Sequence, residues 1–120
     1  MDYKFINTEY LDSVSGGDSE MVREIVEMFR EQVVELYNEM KSFLEQKNYL
    51  SLGLLAHKAK SSVAIMGMSD LANMLKTLEL QAKEGKETDK YQSYINRFRD
   101  DTAEAVRELD DLVINGIKRS

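Results

Sequence analysis

Residues 16–47, GGDSEMVREIVEMFREQVVELYNEMKSFLEQK, set the fold. Two glycines halt whatever precedes them, and Asp18 or Ser19 can then accept hydrogen bonds from the free amides of a new helix. From there Val22, Ile25, Phe29, Val33, Leu36, Met40, Phe43 and Leu44 recur in steps that keep one face of a helix apolar for about 25 residues. Glu27, Glu31, Glu35 and Glu39 run along another face as a solvated ladder, although like charges one turn apart are mildly unfavourable.

Working outward, the same punctuation separates four more segments. A short helix over residues 8–15 precedes the glycines. A helix over about 49–66 stops at Gly67, a residue type suited to the left-handed position after a helix. Ser69 or Asp70 caps the next, to about residue 83, with Leu71, Met74, Leu75 and Leu78 inward. After Gly85, a last helix runs over about 90–114 on Tyr91, Ile95, Phe98, Leu109 and Leu112. Long amphipathic helices on short loops predict an all-α, antiparallel up-down-up-down four-helix bundle with a short N-terminal capping helix, residues 1–120 forming a single domain. An extended coiled coil would need strict heptads without these glycine breaks.

Composition narrows the chemistry. The 120 residues include no Cys, Pro or Trp and one His, with 16 basic and 22 acidic side chains for a formal charge of −6. Without Cys there are no disulfides, thiolate metal sites or cysteine nucleophiles. One His cannot build a His-rich metal cluster, so no metal site is expected. No Gly-x-Ser-x-Gly elbow, phosphate-binding loop or kinase-type Gly-rich loop is present. The acidic balance disfavours nucleic acid as a partner. Neither a signal-peptide core nor a run of about 20 apolar residues occurs, and the chain reads as cytoplasmic, away from membranes.

One segment departs from the rest. Residues 48–69 hold no Asp or Glu, where uniform scaling would place about four, and carry His57, Lys58 and Lys60 instead. On a wheel of 100° per residue, Leu52, Leu55, Ala59 and Met66 lie opposite His57, with Ala56, Ser62 and Val63 flanking that core. The only imidazole therefore points to solvent. Gly53, Ser61, Ala64 and Met68 share its face, with Lys60 to one side and Leu54 to the other. Gly53 costs up to about 1 kcal/mol against Ala inside a helix, so its place one turn before His57 asks for a steric reason. An exposed, neutral imidazole has a nucleophilic lone pair. Lys60 could neutralise an anionic group attached to the ring, and a phosphoryl group fits. The plain alternative is a surface histidine on a helix whose acid depletion reflects burial, with the seven Met filling the core.

Ala56-His57-Lys58-Ala59-Lys60-Ser61-Ser62, then Met66-Gly67-Met68 and Leu71, resembles the signature of histidine-containing phosphotransfer (HPt) domains, roughly A-H-x-L-K-G-S/A followed by L-G and a helix ending in L-E. Leu78-Glu79 and Gly85 keep that register, and Gly16-Gly17-Asp18 ahead of a long helix containing Phe29 is similar to the family's usual opening. The similarity covers residues 10–85; the last helix matches by pattern only. It implies a monomeric phosphocarrier, without kinase activity of its own, that relays a phosphoryl group between aspartates of receiver domains of hybrid kinases and response regulators. By the same resemblance His57 is the phosphoacceptor and Lys60 the phosphoryl-stabilising residue. Gly67 is structural, and Lys58, Ser61 and Glu79 are phosphoryl or docking contacts. Receivers would dock on an apolar patch of Gly53, Leu54, Ala64, Ile65 and Met68. The carrier itself needs no cofactor, and the Mg²⁺ that handles the phosphoryl oxygens is expected in the partner receiver. Ser61 stands where the family carries Gly, and Ala59 where it carries a bulkier apolar residue; both bear on how closely a receiver packs. Two other readings remain: a bundle that binds receivers without being phosphorylated, and the dimerising part of a sensor kinase, which the missing His-Glu-x-x-Thr-Pro motif disfavours.

Overall fold

The computed structural model describes residues 6, 9, 11, 13, 16 and 18–116. Four helices follow one another as α1 (Ser19–Glu45), α2 (Tyr49–Ile65), α3 (Ser69–Glu84) and α4 (Tyr91–Asp111), with a 3₁₀ turn at Thr88–Lys90 and a wider π-type turn at Leu112–Gly116. Together they form an all-α bundle measuring 49 × 20 × 20 Å. Before Asp18, Glu9, Leu11 and Ser13 are helical and Ile6 and Leu11 are buried. The rest of the capping helix expected over residues 8–15 lies outside the described residues.

Several of the helix ends have a local cause. Asp18 is the N-cap of α1, in an extended conformation, and its carboxylate accepts from the amides of Glu20 at 2.9 Å and Met21 at 3.3 Å. Such a cap contributes about 1 kcal/mol. Asn48 caps α2 through a bond from the Ser51 amide. At the end of α2 the backbone turns left-handed at Gly67 (φ 77°), so that the amides of Gly67 and Met68 close back on the carbonyls of Ala64 and Val63. Only glycine takes that conformation without steric cost, and the structural role expected of Gly67 is this turn. The expected cap of α3 is corrected: Met68 occupies the position and makes no side-chain cap bond, while Ser69 is already helical and Asp70 sits in the first turn.

The core follows the apolar stripes. Val22, Val26, Phe29, Val33, Leu36 and Met40 of α1 face Leu71, Leu75 and Leu78 of α3 and Ile95, Phe98 and Leu109 of α4 in one buried cluster. Ile25, Phe43 and Leu44 are only partly buried: at 100° per residue Ile25 and Phe43 stand at one edge of the stripe, and Leu44 falls in the last turn of the helix. The α-helical pattern of α4 stops at Asp111, short of the expected residue 114, as the chain nears the weak helix formers Asn115 and Gly116. Tyr91 anchors the other end of α4: its ring meets Tyr49 edge-on at 5.4 Å and its hydroxyl donates to the Lys86 carbonyl. That contact ties the α3–α4 connection to the start of α2.

On α2 the buried arc is wider than a wheel centred opposite His57 suggests. Leu52, Gly53, Leu55, Ala56, Ala59 and Val63 are all buried. The widening is one-sided, because α3 packs against the flank that carries Gly53, Ala56 and Val63.

Candidate functional site

His57 emerges from α2 at the edge of that flank, its side chain 60% exposed. It does not stand alone. Its Nδ1 lies 2.9 Å from Oε2 of Glu79 on α3, and that carboxylate is nearly buried, with 8% of its side-chain surface open. Glu79 reaches the ring because it sits on the α2-facing side of α3, beside Leu75, Leu78 and Ala82. With a proton on Nδ1 the ring donates to the carboxylate, and the lone pair falls on Nε2.

A buried carboxylate needs counter-charges, and two lysines supply them. Lys83, one turn along α3, donates from Nζ to Glu79 Oε2 at 2.8 Å; Lys60 of α2 places its Nζ 3.6 Å from Oε1. The Lys83 hydrogen bond above all, helped by His57, holds the Glu79 carboxyl below its ordinary range against the upward push of burial. Glu79 is thus an anion between two helices, with a ring nitrogen and two ammonium groups around it.

Of the residues singled out from sequence, the structure gathers His57, Lys60 and Glu79. Lys58 and Ser61 are exposed on the outer side of α2. Leu54, Ala64 and Ile65 are exposed as expected, joined by Leu50, which is 61% exposed. Two positions of the expected apolar surface are corrected. Met68 is buried, since it folds back under the turn that starts α3. Gly53 is buried too, where α2 and α3 approach closely. A Cβ there would stand 3.1 Å from the Glu79 carbonyl oxygen, 3.1 Å from Lys83 Cγ and 3.4 Å from Ala82 Cβ. The steric reason asked of Gly53 is therefore the helix contact, not an incoming protein. Lys83 was not foreseen. The only local signal for it is the Glu-to-Lys spacing of one helical turn from Glu79.

Among the described residues no three His, Asp or Glu side chains converge as a metal site, and no helix is long and apolar enough to cross a membrane. No curated protein and no solved structure matches the chain. The family model of the Hpt domain does, over residues 24–115, which takes in α2, α3, α4 and most of α1. A match over that much of the sequence, on a helical bundle, establishes that this chain belongs to the Hpt domain family, whose members carry out histidine phosphotransfer in two-component signalling.

Proposed function

We propose that His57 is the phosphoacceptor, and that the chain acts as a cytoplasmic, monomeric carrier relaying a phosphoryl group from the aspartate of one receiver domain to that of another. The observation that carries this reading is the pairing of Nδ1 with a buried carboxylate at 2.9 Å while the ring stays largely open to solvent. That arrangement orients a nucleophile outward.

In the transfer, the Nε2 lone pair forms a bond to phosphorus as the phosphorus–oxygen bond of the receiver's acyl phosphate breaks. The leaving electron pair returns to the receiver's carboxylate. The ring, now substituted at Nε2 and still carrying its Nδ1 proton, bears positive charge that the Glu79 carboxylate faces directly. Phosphoryl transfer asks mainly for positioning and charge neutralisation, and no basic catalyst is needed because the attacking nitrogen is already unprotonated. Lys60 swings from its loose contact with Glu79 Oε1 to the phosphoryl oxygens, with Lys58 and Ser61 at the rim. Mg²⁺ belongs to the receiver. Leu50, Leu54, Ala64 and Ile65 supply an apolar docking strip beside the ring, of the modest size that transient signalling contacts use. Nothing in the site binds a nucleotide in this reading, so the chain passes on phosphoryl groups without generating them.

The test is incubation with a labelled, phosphorylated receiver. Wild type takes up acid-labile label; His57→Gln keeps its helical circular dichroism and takes up none. Label retained on His57→Gln removes His57 from the reaction. Receiver binding with no labelling of the wild type makes the chain a docking module instead.

A further inference from the structure

Gly53 and Lys83 have no part in the transfer just described, yet they meet each other at its edge. The absent side chain of Gly53 leaves the space in which the Lys83 stem lies, since a Cβ would stand 3.1 Å from Lys83 Cγ. That stem delivers its ammonium to Oε2 of Glu79, the same oxygen that faces His57 Nδ1. One carboxylate oxygen thus serves a lysine and the imidazole together.

The need for this arrangement follows from electrostatics. A nearly buried carboxylate beside an imidazole, with nothing else on it, favours the doubly protonated ring, because ion pairing stabilises both partners. A doubly protonated ring has no lone pair on Nε2 and cannot attack phosphorus. The carboxylate that aims the ring is in this way also a threat to its reactivity. An ammonium on the shared oxygen offsets that pull while leaving the hydrogen bond from Nδ1–H in place. The charges around the ring are Lys58 and Lys60 from α2 and Glu79 and Lys83 from α3, the helix packed against it. Lys58 is exposed and Lys60 is farther from the carboxylate at 3.6 Å, so Lys83 is the group that balances Glu79 at the oxygen in question.

We infer that Gly53 and Lys83 form a positioning unit: the missing side chain seats Lys83 on Glu79 Oε2, and Lys83 in turn lets Glu79 orient His57 without protonating it at Nε2. This rests on the reading of His57 as the acceptor. Gly53 is a positioning residue twice removed from the chemistry, acting through Lys83 and then Glu79.

The experiment is an NMR titration of the His57 ring in the full chain, unphosphorylated, for wild type, Lys83→Met, Gly53→Ala, the double variant and Lys83→Arg. In Lys83→Met the ring titrates at higher pH, by about one pH unit, the size of effect that removing one nearby charge has at a half-solvated site, and Gly53→Ala, which displaces the ammonium without removing it, moves the titration the same way by less. The double variant moves no further than Lys83→Met, because both changes act on one contact. Lys83→Arg, which keeps the charge, stays near wild type. Label uptake from a phosphorylated receiver then falls in the two single variants at neutral pH and recovers at alkaline pH. A loss of packing would depress uptake at every pH. An unmoved titration in either single variant, or a double variant that shifts by the sum, overturns the proposal. Because the titration needs no receiver, a wild type that takes up no label defeats the functional reading without deciding this one.

Discussion

Two seams of the bundle, α2–α3 and α1–α4, are built on different terms. Between α2 and α3 the backbones come so close that a single methyl group at Gly53 would press on a carbonyl oxygen and a lysine stem, and Ala82 lies just across. Along α1 and α4 the outer surface instead holds a groove of about 310 Å³, walled by Val33, Val34 and Tyr37 on one side and Thr102, Ala103 and Val106 on the other. Arg30 bridges that seam to Asp110 at the surface. Close approach lets a side chain on one helix address the next helix across a water-poor gap, which is what Glu79 does to His57. On the outer edge of the α1–α4 seam the pairing of Arg30 with Asp110 is open to solvent and contributes little. The site is on the seam whose geometry permits it.

The sharpest way to break this contrast is to add the same bulk to both seams. Ala82→Leu should destabilise the fold by about 1–3 kcal/mol in urea unfolding, because a close-packed contact has no room for three more carbons. If it is tolerated, the seam is looser than described. Acid unfolding comes next in size. A carboxyl held below its ordinary value in the folded state contributes stability that is present above the unfolded value, near 4.5, and is lost as pH falls through the folded one. Glu79→Gln should therefore flatten the fall of stability at acid pH, on the order of 1 kcal/mol, and an unchanged slope would show that Glu79 is not held as an anion. Arg30→Met on the far seam should cost only about 0.2–1 kcal/mol, and less in high salt, as exposed ion pairs do. Smallest is Ala103→Leu, which fills open groove and should stay within about 0.5 kcal/mol of wild type.

Much of this was legible in the residues. Asp18, Gly67 and the stripe from Val22 to Met40 each carry a local instruction, a cap, a left-handed turn or a helical period, that needs no distant partner to read. His57 stood out because it is the only imidazole in an acid-free stretch. What escaped was the direction from which α3 arrives. A wheel treats the buried arc as symmetric about its apolar centre, and it therefore put Gly53 and Met68 on the surface. In the folded chain α3 covers only one flank, which buries Gly53 and leaves Leu54 and Ile65 open. The reach of Lys83 was hidden for the same reason: its place beside Glu79 is local, but its contact with the Gly53 gap exists only once the helices pair. Val26, buried on α1 yet outside the expected stripe, shows the limit in miniature, since burial on a long helix depends on which neighbours lie alongside each turn.

The turn at Gly67 has one more consequence, for the order in which the molecule is assembled. His57 and Glu79 are 22 residues apart across that turn, whereas Arg30 and Asp110 are separated by 80. Closing the longer loop costs about 1 kcal/mol more in chain entropy, so the α2–α3 hairpin can form its contacts before the ends of the chain find each other. The amides of α2 and α3 should then be among the slowest to exchange with solvent, and those bordering the α1–α4 groove among the faster. The seam that carries His57 and Glu79 would stay assembled while the α1–α4 face breathes.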